Sequence, residues 1–239
     1  MKPKQLLILG GGKGSRLGLA TKKTPKPLLK LFENTTMLDL LINKHSESFE
    51  RISILTGHLN NKFEEHLKTY YPDKTNIEIL CEDFPCGTAG PLLLHKDNLD
   101  DIFMLINSDS WFDADIADMK FLYSDKSLAQ IALIRSNTAN RYGKVELGED
   151  GLIHSFKEKE RRDEDNESLI SLINTGSYLI KKEFINEISS MPSSLETEIF
   201  PSVASKKKLE GVVLEGKFLD IGIPQTLEFA KNNKDFFNS

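Results

Sequence analysis

Short apolar runs alternate with longer amphipathic segments through the first 135 residues of the chain. The apolar runs occupy residues 5–9, 52–56, 77–81, 102–106 and 129–135. Between several of them lie stretches with helical spacing of apolar residues, at residues 36–45, 60–70 and 90–96. Strands that are apolar throughout are typical of a parallel sheet covered by helices on both faces. The pattern therefore predicts an α/β fold with a Rossmann-like, mainly parallel mixed sheet flanked by helices.

The pattern becomes less regular after about residue 140. It predicts a hairpin whose strands occupy residues 144–147 and 153–157. The later predicted elements are a strand at 177–180, a helix at 182–189, a strand at 210–214 and a helix at 224–232. Residues 157–168 are dense in charge and are typical of a surface loop. Because no linker rich in Pro, Gly or Ser interrupts the chain, we expect one domain over residues 1–239, with a change of character near residue 141.

Composition and charge exclude several classes of protein. Hydrophobic residues (39%) and charged residues (28%) are at globular levels over the 239 residues. The 31 basic and 36 acidic residues give a formal net charge of −5, so we expect no general nucleic-acid binding. No apolar run approaches the roughly 20 residues of a membrane span and no leader segment opens the chain, so we expect no membrane association. Cys81 and Cys86 are too few for a disulfide framework and indicate inert thiols in the cytoplasm.

A glycine-rich loop directly follows the first apolar run. It reads LGGGKGSRLG over residues 9–18, and glycines allow backbone N–H groups to approach and surround a phosphate. The loop lacks the third glycine of a dinucleotide fingerprint and the Lys-Ser or Lys-Thr pair of a P-loop. The simplest alternative is a turn that ends a strand. Four cations close behind the glycines, Arg16, Lys22, Lys23 and Lys26, favour a polyphosphate site instead.

The glycine loop and the following TPKPLL, residues 24–29, together resemble the signature of the sugar-1-phosphate nucleotidyltransferases, also called nucleotide-sugar pyrophosphorylases. The resemblance implies a glycosyltransferase-A-like fold with a nucleotide-binding half to about residue 140 and a sugar-binding half beyond it. It implies that Arg16 and Lys26 act catalytically on the triphosphate. It also implies nucleotide contacts from the loop and from Lys26, through Leu9, Gly11, Gly12, Lys13, Gly14, Ser15 and Arg16.

Two aspartates far apart in sequence follow apolar residues. Asp109 stands in NSDS, residues 107–110, which follow the run at residues 102–106 at the edge where a parallel sheet usually binds ligands. Asp220 stands in FLDIGIP. A lone aspartate is more often a turn residue or a helix cap. The family resemblance, however, implies that both are catalytic and bind a metal, Mg²⁺, shared with the substrate phosphates. Ser108 stands where the family has glycine, a departure that could alter the loop around Asp109.

Asp113 and Asp115 form a rival motif. A D-x-D pattern is also found in glycosyltransferases that bind a nucleotide sugar through a divalent cation. Because three-residue matches are frequent by chance, and because the glycine loop favours the other family, we expect Asp113 and Asp115 to be surface turn residues.

The same resemblance extends to the sugar side. It implies sugar hydroxyl contacts from Tyr142 and Gly143, from Glu158 and from Asn174, and a contact of Lys159 with the sugar phosphate. Carboxylate and amide groups suit hydroxyls, and an ammonium suits phosphate. On composition alone, Glu158 and Lys159 could equally belong to a charged surface loop.

The base side resembles guanylyltransferases. GTAG, residues 87–90, is similar to the base-binding turn of the family and implies nucleotide contacts from Gly87 and Thr88. Glu82 lies five residues before Gly87, and a carboxylate accepts the adjacent N1–H and N2–H₂ donors of guanine. The alternative is that Glu82 is a solvated strand-end residue and that backbone groups near Gly87 recognise the base.

The whole pattern is closest to guanylyltransferases acting on mannose or heptose 1-phosphate, so a nucleoside triphosphate and a sugar 1-phosphate are the expected partners. Two alternatives stay open. One is a UTP- or CTP-dependent enzyme acting on an amino-sugar phosphate or a phosphocholine-like acceptor. The other is a catalytically inactive homologue that binds nucleotide sugars. The sequence leaves monomer and homodimer both open.

Overall fold

The computed structural model describes residues 2–12, 14–123, 125–136, 144–157 and 171–238, without the side chains of Lys144 and Lys157. The strands of these residues are β1 (Gln5–Leu9), β2 (Lys30–Phe32), β3 (Thr35–Thr36), β4 (Arg51–Thr56), β5 (Ile77–Cys81), β6 (Ile102–Asn107), β7 (Ser110–Phe112), β8 (Ala129–Ser136), β9 (Lys144–Leu147), β10 (Ile153–Lys157), β11 (Ser171–Lys181), β12 (Leu209–Val213) and β13 (Phe218–Asp220). The α-helices are α1 (Met37–His45), α2 (Asn60–Tyr70), α3 (Gly90–Leu94), α4 (Phe200–Ser205) and α5 (Pro224–Asn232).

The contacts divide the chain into two compact units. One, the glycine-loop unit, comprises the described residues of Pro3–Pro85, Leu105–Asp113 and Lys217–Ser239. The other, the hairpin unit, comprises Cys86–Met104 and the described residues of Ala114–Gly216, with Lys2. A single domain over the whole chain stays a prediction.

Parallel strands form the centre of the glycine-loop unit. β1 pairs with β4 and β4 with β5, both in parallel, and β6 lies on the other side of β1. β1 is apolar after Gln5, and both β1 and β4 are almost completely buried. This burial matches strands that are covered on both faces. The predicted α/β fold with a mainly parallel sheet is therefore confirmed.

A buried carboxylate joins α1 and α2 of the glycine-loop unit. Asp39 accepts hydrogen bonds from Thr36 at the amino end of α1, where the two residues form a capping box. It also accepts from His66 on α2 at 2.7 Å and from Tyr71 just beyond α2 at 2.8 Å. Burial opposes the charged form, but these hydrogen bonds outweigh it and hold the pKa of Asp39 below its usual value.

The hairpin unit is mostly antiparallel. β11 pairs with β8 and β9, β9 pairs with β10 as the predicted hairpin, and β12 runs parallel to β8. The strand predicted at residues 177–180 is longer, because β11 continues through an irregularity between Asn174 and Tyr178. The predicted helix at residues 182–189 is a 3-10 helix, Lys182–Glu187, and the helical turns at Leu195–Ile199 and in α4 were not predicted.

Two further expectations concern the cysteines and the membrane. Neither Cys81 nor Cys86 forms a disulfide bond within the part of the chain that the structure describes. Among the helices of the described residues, none combines the length and the apolar character that a membrane crossing requires.

The last residue of α1 makes the stability of the fold sensitive to acid. His45 is 5% exposed, with its ring edge-on to Phe49. Burial, helped by the neighbouring Lys44 charge, lowers the pKa of His45 from 6.5 to about 3. As the pH falls below 6.5, His45 becomes protonated in the unfolded chain but stays neutral in the folded chain. The contribution of His45 to the unfolding free energy is therefore complete above pH 6.5 and is lost as the pH falls towards 3.

We predict that wild type loses about 2 kcal/mol of unfolding free energy between pH 7 and pH 5 through His45 alone. His45→Leu, which cannot bind a proton, should lack this part of the loss. Urea unfolding at both pH values measures it, with His58→Leu, at an exposed histidine, as the control. Equal pH dependence in wild type and His45→Leu would contradict this account.

Candidate active site

The glycine loop leaves β1 at Gly10, whose N–H donates to Leu55 O at 2.7 Å. Among the described residues other than its chain neighbours, none has a heavy atom within 4 Å of the Cβ position of Gly12, and Gly12 is exposed. Gly14 takes a left-handed conformation, φ 61°, and precedes a 3-10 helix over Ser15–Thr21. Thr21 Oγ1 donates to Gly14 O at 2.9 Å and fixes this turn. The loop thus has exposed backbone in a conformation that hydrogen bonds hold in place, as phosphate binding requires.

The predicted residues of this loop differ in their surroundings. Ser15 and Arg16 are exposed at the start of the 3-10 helix, and Leu9 is half-buried at the end of β1. Among the described residues, no carboxylate lies within ion-pair distance of Arg16. Lys13 lies outside the described residues. Arg16 therefore presents its charge to solvent beside the loop.

Lys26 lies on a short, rigid turn. Lys26–Leu28 is a single 3-10 turn in which Leu28 N donates to Pro25 O at 2.9 Å. Pro25 and Pro27, on either side of Lys26, are buried and anchor the turn in the protein. The Cβ position of Gly14 is 3.4 Å from Lys26 Cβ, so the turn packs against the glycine loop.

The ammonium of Lys26 forms an ion pair with Asp109 Oδ2, and only 12% of the Lys26 side chain is exposed. Asp109 lies two residues beyond Asn107, the last residue of β6. An ion pair with so little water around it is screened weakly and is correspondingly strong.

A two-stranded ribbon brings Asp220 to the same place. β13 pairs antiparallel with β7, with Asp220 opposite Ser110, and Ile221 N donates to Asp109 O at 2.9 Å. The Cβ position of Gly222 is 2.6 Å from Asp220 Oδ1 and 3.1 Å from Lys26 Nζ. Asp109 and Asp220, 111 residues apart in the sequence, are thus brought close together beside Lys26.

Ser108 connects the end of β6 to the start of the glycine loop. Its hydroxyl donates to Leu9 O, and its N–H donates to the same carbonyl at 3.3 Å. The side chain is buried. Serine in place of the family glycine therefore adds a bond between the end of β6 and the start of the glycine loop.

The carboxylates of Asp109 and Asp220 fit a hard divalent cation. Both offer oxygen ligands, and Mg²⁺ commonly takes one or two protein carboxylates and completes its shell with phosphate and water. Among the described residues, no group of three or more His, Cys, Asp or Glu side chains forms a self-sufficient metal site. The donor set therefore suits a cation that is shared with a phosphorylated ligand.

Glu82 follows β5 and lies against the glycine loop. Its N–H donates to Thr56 O at 2.8 Å, and the residue is half-buried. Glu82 Oε1 is 2.9 Å from the Cβ position of Gly11 and 2.4 Å from that of Gly57, so a side chain at either position would displace the Glu82 carboxylate. The Glu82 side chain is therefore partly enclosed by the protein, whereas the alternative from the sequence was a residue in solvent at the end of a strand.

The remaining predicted residues belong to the hairpin unit or lie outside the described residues. Thr88 Oγ1 donates to Glu196 Oε2 at 2.7 Å, and Gly87 is exposed with φ 79°. Asn174 donates to Tyr178 Oη and accepts from Gly176 N, both at 2.8 Å, within the irregularity of β11. Outside the described residues lie Tyr142, Gly143, Glu158 and Lys159.

The rival D-x-D motif is explained by backbone contacts. Asp113 Oδ1 accepts from Lys217 N at 2.5 Å, and Asp115 Oδ1 caps the 3-10 helix Ile116–Asp118 by accepting from Ala117 N at 3.1 Å. Both aspartates therefore stabilise loops, as the sequence predicts for turn residues.

Sequence comparison identifies relatives over almost the whole chain. Residues 5–235 match the family described as Nucleotidyl transferase. The chain is 34% identical over 227 residues to "Probable mannose-1-phosphate guanylyltransferase 2" of Oryza sativa subsp. japonica, covering 92% of this chain and 61% of that protein. It is 31% identical over 225 residues to "Mannose-1-phosphate guanylyltransferase catalytic subunit beta" of Drosophila pseudoobscura pseudoobscura, covering 92% and 59%. The chain thus spans about three-fifths of the length of these curated relatives.

Solved structures share the fold. HddC from Yersinia pseudotuberculosis superposes with a TM-score of 0.81 at 23% identity, covering 98% of this chain and 100% of that one. The same protein complexed with GMP-PN gives a TM-score of 0.80. A putative glucose-1-phosphate thymidylyltransferase from Bacillus anthracis, in complex with a sucrose, gives 0.78 at 24% identity, covering 98% and 96%. With the match over residues 5–235, the resemblance seen in the motifs is confirmed, and the chain belongs to the nucleotidyl transferase family.

Proposed function

We propose that the protein makes a nucleotide sugar and pyrophosphate from a nucleoside triphosphate and a sugar 1-phosphate, with GTP as the preferred nucleotide. One observation carries the proposal: Lys26, Asp109 and Asp220 meet beside a glycine loop that has exposed backbone. Family membership supports the reaction type. The names of the curated relatives and the GMP-PN complex of HddC support guanine.

The reaction is a single displacement. An oxygen of the sugar phosphate forms a bond to the α-phosphorus while the bond from that phosphorus to the bridging oxygen breaks, and the electron pair leaves with pyrophosphate. A phosphate monoester is already nucleophilic, so the protein positions two anions and neutralises their charge. The backbone of Leu9, Gly11, Gly12 and Gly14, with Ser15 and Lys13, would surround the triphosphate.

The cations and carboxylates divide this work. The exposed Arg16 would bind the triphosphate, and Lys26 would stabilise the charge that develops on the transferred phosphorus and the leaving group. Asp109 and Asp220 would hold Mg²⁺, which supplies charge neutralisation to the phosphates when bound. The Lys26 ammonium must then exchange part of its contact with Asp109 for phosphate oxygens.

The base and sugar contacts are proposed from the motifs. Glu82 would accept the N1–H and N2–H₂ donors of guanine, and the turn with Gly87 and Thr88 would contribute further nucleotide contacts. On the sugar side, Asn174 would contact hydroxyls and Lys159 the sugar phosphate, with Tyr142, Gly143 and Glu158 beside them. Mannose and heptose 1-phosphates are the preferred acceptors, and a cytoplasmic location follows from the sequence as a prediction.

A panel of nucleoside triphosphates crossed with sugar 1-phosphates tests the proposal. We expect pyrophosphate release with Mg²⁺ only when both substrates are present, and fastest with GTP. Release that needs no sugar phosphate would contradict the reaction. The absence of release from every pair, with retained nucleotide-sugar binding, would favour the inactive homologue.

We predict that Asp109→Ala and Asp220→Ala each abolish turnover with Mg²⁺ and keep the wild-type circular dichroism spectrum, because each removes a carboxylate from the phosphate site. Asp113→Asn and Asp115→Asn are the matched controls and should keep turnover. Loss of activity in these controls, with activity retained in Asp109→Ala or Asp220→Ala, would support the rival D-x-D site.

Lys26→Ala should lower kcat by about 10²-fold or more, because its ammonium acts on charge that develops in the transition state. Steady-state kinetics measure the effect, and Lys30→Ala, which removes an exposed lysine nearby in sequence, is the control. A change confined to KM would show that Lys26 serves binding alone.

Glu82→Gln should narrow the preference for GTP over UTP, because an amide presents a donor where guanine needs a second acceptor. Sites built for hydrogen bonding can discriminate by about 10⁴-fold. The ratio of kcat/KM for the two nucleotides measures the effect, and Asp83→Asn, at an exposed neighbour, is the control. An unchanged ratio in Glu82→Gln, or a wild type that prefers UTP or CTP, would refute the role of Glu82.

A further inference from the structure

The turn at residues 86–90, for which we propose nucleotide contacts, is held by a second segment about 100 residues later in the chain. Ser193 N donates to Cys86 O at 2.9 Å, and Ala89 N donates to Ser193 O at 3.0 Å. The Cβ position of Gly87 is only 2.1 Å from Ser193 O, so this close approach requires glycine. Residues 193–198, called the bracing segment below, therefore restrict the turn from one side.

The side chain of Thr88 is part of this contact. Its hydroxyl donates its one proton to Glu196 Oε2 at 2.7 Å and accepts a bond from Leu195 N at 2.8 Å. The same carboxylate oxygen accepts from Ser194 Oγ at 3.2 Å. A hydroxyl has only one proton to donate, so the Thr88 side chain has no donor left for a ligand in this arrangement.

The charge of Glu196 strengthens the contact. Hydrogen bonds to a carboxylate contribute more than neutral ones, and Glu196 and Thr88 are both half-buried. A second carboxylate of the bracing segment, Glu198, accepts from Ser193 Oγ at 2.9 Å and fixes the residue whose backbone contacts the turn. The turn is thus ordered before any ligand binds, which lowers the entropy cost of binding.

We infer that Glu196 is a positioning residue for nucleotide recognition: it fixes the Thr88 hydroxyl and so presents the backbone of the turn at residues 86–90 to the nucleotide. This inference rests on the proposed function, and nothing in the motifs of the sequence assigns Glu196 a role. It changes the expected role of Thr88, whose side chain orders the turn while the backbone of the turn contacts the ligand.

Four variants and one control test the inference. Glu196→Ala and Thr88→Val remove the contact, whereas Glu196→Gln and Thr88→Ser keep an acceptor and a hydroxyl. Thr197→Ala, at an exposed neighbour, is the matched control. Three quantities are measured: KM for GTP, KM for the sugar 1-phosphate, and the rate of hydrogen exchange at the amides of residues 86–90.

We expect Glu196→Ala and Thr88→Val each to raise KM for GTP by about tenfold or more, the scale of one hydrogen bond to a charged group. KM for the sugar 1-phosphate should stay near its wild-type value, and amide exchange in the turn should accelerate. Glu196→Gln and Thr88→Ser should restore most of the affinity, which a purely structural lesion would not do. If Glu196→Ala does not fold, Thr88→Val decides.

Two results would overturn the inference while leaving the proposed function intact. One is a KM for GTP that stays at its wild-type value in Glu196→Ala and Thr88→Val, and the other is a change confined to KM for the sugar 1-phosphate. A wild type that neither turns over any substrate pair nor binds GTP in calorimetry would overturn both.

Discussion

The ion pair between Lys26 and Asp109, with Asp220 beside it, is the interaction on which the candidate site depends. A lysine ammonium whose side chain is only 12% exposed needs a compensating negative charge nearby, and Asp109 supplies it. The same charges suit chemistry on phosphates. The same side chains therefore serve two purposes. The carboxylates compensate the charge of the Lys26 ammonium in the folded protein, and the three groups together can hold a triphosphate and its cation.

The C-terminal segment completes this arrangement through apolar contacts. The rings of Trp111 and Phe237 lie 5.5 Å apart, those of Phe112 and Phe218 lie 6.3 Å apart, and Lys44 Nζ lies 5.1 Å from the centre of the Trp111 ring. Aromatic pairs of this kind stabilise beyond their buried area. They hold β13 against β7, and this pairing places Asp220 next to Asp109. The site of the glycine-loop unit is thus assembled from three separate stretches of the chain.

Local patterns in the sequence predicted the regular elements well. β1, α2 and α5 lie at the predicted residues, because continuous apolar runs and helical spacing are strong signals over five to eleven residues. The glycine loop was also evident because it directly follows β1, and Lys26 and Asp109 were identified from motifs that resemble those of the family.

The elements that the sequence did not predict depend on contacts between residues far apart in the chain, which no local sequence pattern reveals. β7 and β13 have three residues each and show no periodicity, although their pairing assembles the carboxylates. β11 was predicted too short because Gly176, with φ 75°, interrupts its alternation. The bond between Thr88 and Glu196 joins residues 108 positions apart, and only the folded chain brings them together.

The central claim, direct transfer of a nucleotidyl group to a sugar phosphate, is tested most directly with GTP labelled at the α-phosphorus. Mixed with the protein, Mg²⁺ and mannose 1-phosphate, the label should pass into a nucleotide sugar, with none in pyrophosphate and none bound covalently to the protein. Label that becomes attached to the protein, or that leaves GTP equally fast without the sugar phosphate, would contradict the account.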